Sequence, residues 1–267
     1  MSAGTTPPST GTQAIQRAAA LLRQIATHNR LGMRLVDLYR ALALERPTAH
    51  RLLQGLASEG LVRQDPLTKR YFLGPMVYEM GLAAAPKSPL RDICHPHLHM
   101  VADRTEDTVF LTVRAGFDGL CVDRIEGAFP IKVFVLEVGR RRPLNVGGGS
   151  LAILSAMTDT EIDRICNANR ERVRVKFPRY SDTALKKRIA EARKEGFALN
   201  DVIEVPGVRS IAVPLRDATR RPIAAISVAT LASRLESDRV AWIARLLIDC
   251  AGEIETELAQ LEPGPVV

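Results

Sequence analysis

The chain has 267 residues and a formal net charge of +7, and hydrophobic and charged residues make up 46% and 25% of it. These proportions are those of an ordinary soluble protein, and the length suits two domains that each bury a core. No apolar run approaches the length of a membrane span, so a membrane partner is not expected.

The N-terminus and the cysteines both predict a cytoplasmic protein. The first twelve residues, MSAGTTPPSTGT, have neither the basic start nor the apolar core of a secretory signal, and we expect residues 1–11 to be a disordered tail. A second short tail is expected at residues 262–267. The 4 cysteines are widely spaced and form no CxxC pair, which is typical of reduced, mostly buried thiols.

Basic charge is concentrated at the start of the chain. Residues 1–85 contain ten Lys and Arg against five Asp and Glu, so they carry +5 of the overall +7. A phosphate-binding surface requires such a concentration, because each neutralised phosphate releases counterions. The solvated basic face of an ordinary helical domain is the alternative interpretation.

Two helices are predicted first. One spans residues 13–28, with Thr12 as its N-cap, and the next spans residues 35–44. The residues predicted to face inward are Ile15, Ala18, Leu22 and Ile25 in the first helix and Leu35, Leu38 and Leu42 in the second.

The stretch ERPTAHRLLQGLASEGLVRQDPLTKRYFLG, residues 45–74, completes this domain. The apolar residues that share one helical face are Ala49, Leu52, Leu53 and Leu56. Pro47 suits the first turn of that helix and Gly60 suits its end. Two short extended runs follow, joined by a turn at Asp65-Pro66. A helix with one polar face before a basic hairpin is typical of a winged helix-turn-helix, here residues 12–74, whose exposed face enters a major groove.

Residues 75–88 are predicted to form a connecting helix that Pro86 and Pro89 end. This segment is apolar and lacks the Gly/Ser composition of a flexible tether. We therefore expect it to pack, with a second subunit as the hypothetical partner.

The second domain, residues 89–261, has strands in groups with helices between them. Strands are predicted at residues 109–113, 120–125, 131–138, 197–202, 210–215 and 223–230. Helices are predicted at residues 96–104, 150–157 and 181–196 and along residues 240–258. A further helix is predicted to start at the capping box of residues 158–161. This order predicts an α+β fold with a mostly antiparallel sheet flanked by helices.

Seven stretches in this order resemble the IclR family of bacterial transcriptional regulators, from residue 13 to residue 258. They are QAIQRAAALL, RPTAHRLLQGLASEGLV, RYFLG, VGRRRPLN, EARKEGFALN, GVRSIAVPLRD and PIAAISVAT. The resemblance implies an N-terminal winged helix that binds double-stranded operator DNA and a C-terminal GAF-like α/β domain that binds a small effector. It also implies a homodimer or homotetramer, and both repression and activation occur in the family.

Candidate DNA contacts follow from the polar helix face, the hairpin and the start of the first helix. They are Gln13, Arg17, Thr48, His50, Arg51, Gln54, Lys69, Arg70 and Tyr71. Arg51 fits guanine and Gln54 fits adenine, although Arg51 contacting phosphate alone is an alternative. Tyr71 is equally well interpreted as hairpin core. Gly55 costs about 1 kcal/mol against alanine in a helix, which close helix packing or close approach to DNA would explain.

The stretch NVGGGS, residues 145–150, is the main candidate for effector binding. Glycines before a helix leave backbone N–H groups accessible at its positive end, which suits a carboxylate or phosphate, whereas a flexible turn is the alternative. The resemblance adds pocket side chains from the later strands. The candidates are Asn145, Gly147, Gly148, Gly149, Ser150, Asn200, Ser210 and Ser227. The family commonly has histidine at position 145 and lysine at position 151, where this chain has Asn145 and Leu151.

Two further features are interpreted as follows. We expect Arg140 to Arg142 to be solvated, with the alternative that one of them supplies a counter-charge to the effector. The stretch CHPHLH, residues 94–99, has metal-ligand residue types, but alternating histidines at a helix start point in different directions, and we expect no metal site.

The sequence therefore predicts a ligand-responsive transcriptional regulator, a repressor of a catabolic operon that senses a small organic acid. No cofactor is expected. The alternatives are an enzyme or a purely oligomerising α/β domain attached to a basic helical domain. The sequence contains no GxSxG motif and no evident set of nucleophile, base and acid, which disfavours the enzyme.

Overall fold

The computed structural model describes residues 10–29, 31–84, 89–133 and 135–260. The chain separates into two compact units, Met1–Lys87 and Ser88–Val267. Most of the two predicted tails and the proposed break at Pro86 lie outside the described residues. Within the described ranges, no helix has the length and apolar character needed to cross a membrane.

The first unit is a small helical domain with a hairpin. In chain order its elements are α1 (Thr10–Thr27), β1 (Met33–Arg34), α2 (Leu35–Ala41), α3 (Arg46–Ser58), β2 (Val62–Gln64), β3 (Arg70–Leu73) and α4 (Pro75–Ala84). The strands form one antiparallel sheet in the order β1-β3-β2. The structure confirms the three helices and the hairpin and adds β1, which at two residues is too short to show alternation in the sequence.

Helix α1 differs from its prediction at its start. It begins at Thr10, so Thr12 lies inside the helix and is not its N-cap. Ser9, Thr10 and Thr12 all have a hydroxyl side chain that suits an N-cap, so capping preference alone did not fix the start of the helix. Ile15 was predicted to face the core but is 71% exposed, because α1 joins the buried cluster only from Ala18 onwards.

Helix α3 begins and ends close to where the sequence predicts. Pro47 lies in its first turn, and Gly60 has a φ of +68° just after its end. Ala49, Leu53 and Leu56 are buried, which confirms the apolar face. The opposite face of α3 remains on the surface.

Two turns of the first unit have identifiable causes. Helix α2 ends at Ala41 instead of residue 44, because Ala43 has a positive φ of +49°. The hairpin turn is held by Asp65, whose Oδ1 accepts hydrogen bonds from the N–H groups of Thr68 at 2.7 Å and Leu67 at 3.1 Å. These bonds, led by that of Thr68, hold the pKa of Asp65 below its ordinary value.

The second unit is built on one antiparallel sheet. Its elements are α5 (Pro89–Thr105), β4 (Thr108–Ala115), β5 (Asp118–Ile125), β6 (Arg141–Pro143), α6 (Gly148–Ser155), α7 (Asp159–Lys176), α8 (Asp182–Glu195), β7 (Ala198–Asp201), β8 (Val208–Arg216), β9 (Pro222–Leu231) and α9 (Ser237–Gln260). The strand order is β6-β5-β4-β9-β8-β7. The structure confirms the predicted α+β fold.

Helices cover both faces of this sheet, because successive residues of a strand point to opposite sides. On strand β8, Ile211 faces the core cluster that contains Leu247 of α9, whereas Ala212 faces the cluster that contains Leu151 of α6. Helices α5 and α9 therefore form one layer, and α6 and α8 contribute to the other.

Helix α5 starts earlier than predicted. It begins at Pro89, a residue that suits the first turn of a helix, so Pro96 lies in its interior instead of at its start. An interior proline removes a helix hydrogen bond and costs about 3 kcal/mol, which the burial of an apolar stripe offsets. The buried residues of this stripe are Leu90, Cys94, Leu98, Val101 and Ala102.

The predicted strand at residues 131–138 is wrong: its described part forms no strand. The edge of β5 is used by the residues that follow, since β6 pairs with it and the Cys121 N–H donates to the Arg140 carbonyl at 3.1 Å. Ile131 and Val138 are more than half exposed, so the apolar pattern there does not mark a buried strand face.

The helix boundaries of α7 and α8 and the state of the cysteines are confirmed. Thr158 caps α7 by accepting from the Glu161 N–H, and Gly196 ends α8 with a φ of +79°. All 4 cysteines are free, and burial raises the pKa of three of them to about 12. Those three are Cys94, Cys121 and Cys250.

Candidate functional site

The exposed face of α3 presents three of the predicted DNA contacts. His50, Arg51 and Gln54 are exposed, and none of them makes a hydrogen bond or ion pair within the described residues. Thr48 is half-buried at the start of the same helix. Because the opposite face anchors α3 in the core, these side chains are available to a partner.

A groove between α2, the start of α3 and the hairpin extends this surface. It is lined by the exposed basic residues Arg34, Arg46 and Lys69, together with His50. The sequence analysis did not identify two of them: Arg34, which immediately precedes α2, and Arg46, which is the first residue of α3. Three basic side chains around one groove suit nucleic-acid phosphates.

The hairpin contributes less to this surface than predicted. Tyr71 is only 4% exposed and belongs to the core cluster of the first unit, which supports its interpretation as hairpin core, although it also borders the groove. Arg70 Nη1 donates to the Gly32 carbonyl at 2.8 Å, which ties this guanidinium to the turn before β1. Lys69 stays exposed beside them.

The candidates on α1 lie near its start. Gln13 is exposed and Arg17 is half-buried, and neither has a hydrogen-bond partner in the part of the chain that is described. Both therefore remain available for phosphate contacts.

Gly55 lies on the exposed face of α3. A Cβ atom added there would meet no atom within 4 Å among the described residues. Close packing inside the first unit therefore does not explain this glycine, and close approach of an outside partner is the explanation that remains.

The glycine run at the start of α6 packs against hydroxyl groups from the sheet. Gly147 has a φ of +95°, and α6 begins at Gly148. A Cβ atom on Gly148 would lie 2.2 Å from Ser210 Oγ, and one on Gly149 would lie 2.8 Å from Thr112 Oγ1. These positions require glycine because the sheet side chains occupy the space that a methyl group would need.

A pocket opens between this run, strands β4, β8 and β9, and the segment before β6. Its cavity volume is about 40 Å³, below the usual range for small-molecule sites, and it is partly open to solvent. Its lining includes six of the eight predicted effector residues: Gly147, Gly148, Gly149, Ser150, Ser210 and Ser227. It also includes Phe110, Thr112, Gly119, Val135, Leu136, Arg142, Val146, Val202 and Ala229.

Hydroxyl groups in this pocket lack partners. Thr112, Ser150 and Ser227 are each at most 5% exposed, yet their hydroxyls make no hydrogen bond to any described residue. Ser210 Oγ donates to the Asn200 carbonyl at 3.4 Å. None of these three hydroxyl oxygens is among the buried side-chain atoms of the described residues that lack a partner, so they are accessible from the pocket and can bond to a polar ligand there.

Arg142 lies in the pocket wall, which corrects the expectation that Arg140 to Arg142 are all solvated. Its side chain is 11% exposed, Nη2 donates to the Val135 carbonyl, and Nη1 lies 3.6 Å from Glu204 Oε1. Burial lowers the pKa of Arg142, and the Glu204 carboxylate opposes that shift. Arg140 and Arg141 are exposed as predicted.

The two predicted asparagines do not line the pocket. Asn145 Oδ1 accepts from Asn169 Nδ2 at 3.1 Å, which connects it to α7. Asn200 Oδ1 accepts from Arg188 Nη1 at 2.6 Å, although its Cβ lies near Gly148. Both are buried, and Asn200 Nδ2 has no hydrogen-bond partner among the described residues.

Family models match both units. The model described as the IclR helix-turn-helix domain matches residues 14–66, and that of the bacterial transcriptional regulator IclR C-terminal domain matches residues 82–256. The chain belongs to the IclR family of transcriptional regulators.

Curated relatives of this IclR regulator align along nearly the whole chain. The transcriptional repressor IclR of Escherichia coli K12 is 26% identical over 93% of this chain and 91% of its own length. The acetate operon repressor of Salmonella typhimurium is 27% identical over 94% and 92%, respectively.

Solved structures share the fold. An IclR regulator from Alicyclobacillus acidocaldarius has a TM-score of 0.74 at 21% identity, covering 91% of this chain and 98% of that one. An IclR homologue from Microbacterium hydrocarbonoxydans, complexed with 4-hydroxybenzoate, has a TM-score of 0.71 at 22% identity, covering 92% and 98%.

Two histidines of the CHPHLH stretch in this IclR regulator are paired with carboxylates. His95 Nδ1 lies 2.7 Å from Asp123 Oδ2, and His97 Nε2 lies 2.8 Å from Glu257 Oε1. Among the described residues, no group of three or more His, Cys, Asp or Glu is arranged to hold a metal ion. These pairs join α5 to β5 and to α9.

Proposed function

We propose that this IclR-family regulator is a repressor of a catabolic operon that leaves its operator when a small organic acid binds. The observation that carries the proposal is the pocket of the second unit, where a buried guanidinium and three hydroxyls without a hydrogen-bond partner among the described residues line a small cavity. The names of two relatives as repressors, and the bound 4-hydroxybenzoate in a homologue, support it.

The proposed operator contacts lie on the first unit. They are Gln13, Arg17, Thr48, His50, Arg51, Gln54 and Lys69, with Arg34 and Arg46 added from the groove and Arg70 assigned to holding the hairpin. We infer that Arg51 reads a base, because its exposed guanidinium lies on the middle of the free face of α3 and has no partner in the described chain.

We further propose that the regulator acts as a homodimer or homotetramer in the cytoplasm and that it has no catalytic role. Helix α4 supports the assembly, because Tyr78, Met80 and Leu82 are each more than half exposed. Apolar side chains on a connecting helix suit contact with a second copy. The proposed boundaries are a winged helix over residues 12–74, a linker over 75–88 and an effector domain over 89–261; the two compact units divide between Lys87 and Ser88.

The mechanism proposed is a population shift. Ligand in the pocket changes how two subunits pack through the linker, which changes the spacing of paired winged helices and thereby operator affinity. A ligand shifts this equilibrium only by its difference in affinity for the two arrangements, so effector and operator weaken each other's binding equally.

Fluorescence anisotropy on DNA from upstream of the protein's own gene tests this function. We expect preference over scrambled DNA of equal length, and roughly tenfold to hundredfold weaker binding by Arg51→Ala. Arg245→Ala removes one exposed arginine from α9 in the second unit and serves as the charge-matched control. Equal binding to both DNAs at every salt concentration would contradict sequence reading.

The same assay tests response to ligand. Saturating small organic acids, 4-hydroxybenzoate among them, are expected to lower the affinity for the preferred DNA. If acids that raise the melting temperature leave operator affinity unchanged, the protein is a constitutive binder whose second unit does not regulate it.

A further inference from the structure

The Arg142 guanidinium has fewer partners than its burial requires. Arginine has five N–H groups, and here a single hydrogen bond, to the Val135 carbonyl, is formed within the described residues. Its Nε is buried without a partner, and the contact with Glu204 at 3.6 Å is an ion pair longer than a hydrogen bond. An arginine this buried is normally paired through several of its donors.

The unused donors belong to a side chain in the pocket wall. Arg142 lines the pocket together with the hydroxyl-bearing Thr112, Ser150 and Ser227, and much of the remaining wall is apolar. The chemistry offered is therefore one cation, a group of hydroxyls and an apolar surface. A compact acid with a hydroxyl or carbonyl substituent matches all three.

Glu204 is held loosely beside this cation. Its Oε2 accepts from the Tyr180 hydroxyl at 3.2 Å, and its side chain is 27% exposed. Because its Oε1 forms no hydrogen bond to Arg142, a ligand carboxylate with direct hydrogen bonds to the guanidinium would be the stronger partner.

We propose that Arg142 binds the carboxylate of the effector and that this carboxylate replaces Glu204 as the partner of the guanidinium. This assignment rests on the proposed function, in which the pocket of the second unit is the effector site. It names the ligand as a monocarboxylate, with its hydroxyl or carbonyl oxygen bound by Thr112, Ser150 or Ser227.

The replacement also gives the ligand a structural consequence. Glu204 lies in the segment between β7 and β8, where the Ile203 carbonyl also accepts from Arg179. Tyr180 and Arg179 belong to the segment between α7 and α8. Release of Glu204 from Arg142 therefore removes a contact between β6 and the segment between β7 and β8, which also contacts Arg179 and Tyr180.

Thermal shift and calorimetry on the full-length protein test the assignment. The probes are 4-hydroxybenzoate, lactate, pyruvate and 2-hydroxybutyrate, each beside its primary amide. We expect at least one acid, and not its amide, to raise the melting temperature. Arg142→Gln is expected to weaken that acid roughly tenfold to hundredfold, Arg142→Lys less, and Glu204→Gln is expected to strengthen it.

Arg141→Gln is the matched control, because Arg141 is the preceding residue of β6 and is exposed. It removes the same charge and is expected to leave acid affinity unchanged. In Arg142→Gln alone, Glu204 loses its partner, which could affect folding. The double variant Arg142→Gln/Glu204→Gln removes this unpaired charge, so it should fold as the wild type does and still fail to bind the acid.

Three results would overturn the assignment: amides that bind as well as acids, an acid affinity that survives Arg142→Gln, or no stabilisation by any acid of the set. Weaker acid binding by Glu204→Gln would overturn the exchange of partners. Operator binding is measured in parallel. If an acid releases operator DNA equally from wild type and Arg142→Gln, the regulator function stands and the role of Arg142 falls.

Discussion

Gly55 leads to a prediction in which stability and function change in opposite directions. Alanine at this exposed helical position meets no described atom within 4 Å, so Gly55→Ala should stabilise the first unit by about 0.5–1 kcal/mol. If α3 approaches DNA closely at this point, the added methyl group must weaken operator binding. Urea unfolding and anisotropy on the same preparation measure the two effects.

Ala57→Gly is the control on the same helix, since Ala57 is also exposed but lies two residues away on a different side of α3. It should destabilise the unit by about 0.5–1 kcal/mol while leaving the space for DNA unchanged. An operator affinity that is the same for wild type and Gly55→Ala would show that the glycine has no part in DNA binding.

At the scale of the element, the start of α6 depends on the sheet behind it. Gly148→Ala places a methyl group against Ser210 Oγ at 2.2 Å and Ser210 Cβ at 3.1 Å, so α6 or β8 must shift. We expect a loss of about 1–3 kcal/mol in the free energy of unfolding, measured by urea denaturation. Ser210→Gly in the same chain removes both contacts and should recover part of the loss.

Gly252→Ala is the control for Gly148→Ala, because it replaces a helical glycine without creating a contact. Gly252 lies inside α9, where an added Cβ meets nothing described within 4 Å, and alanine there should raise stability by about 0.5–1 kcal/mol. Equal effects of the two glycine substitutions would mean that propensity, and not the contact with β8, decides the result.

At the scale of the whole molecule, assembly through α4 is testable without DNA. Met80→Glu combined with Leu82→Glu places two charges on its exposed apolar surface. The proposed homodimer or homotetramer of this variant should therefore need a higher protein concentration to form than that of the wild type. Sedimentation velocity across a concentration series measures this. Glu79→Lys changes an exposed charged neighbour and should leave the assembly intact; an unchanged mass in the double variant would place the interface elsewhere.

Local patterns predicted most elements because the residues that carry them act locally. Pro47 and Gly60 bound α3, and the capping residues of α7 act within one turn. The failures depended on distant partners. Nothing near Ile15 shows that the core ends at Ala18, and nothing in residues 131–138 shows that the edge of β5 is already taken by β6.

The pocket was only partly predicted, again because local patterns do not show distant partners. The glycine run is visible as a motif, and the resemblance supplied Ser210 and Ser227. Thr112 was missed, and Arg142 was considered only as an alternative, because each is one polar residue in a strand and only the order of strands in the sheet brings them together. Asn145 was assigned to the pocket by its neighbours in sequence, whereas its side chain is bound to Asn169 of α7.

The alternation along the central strands separates ligand choice from folding. On β9, Ser227 faces the pocket while Ile226 and Val228 pack in the core with α5 and α9. On β4, Thr112 and Leu111 are divided in the same way. Substitutions on the pocket side can therefore accumulate without opening cavities in the main core, so descendants of this chain could acquire new inducers while retaining the same scaffold.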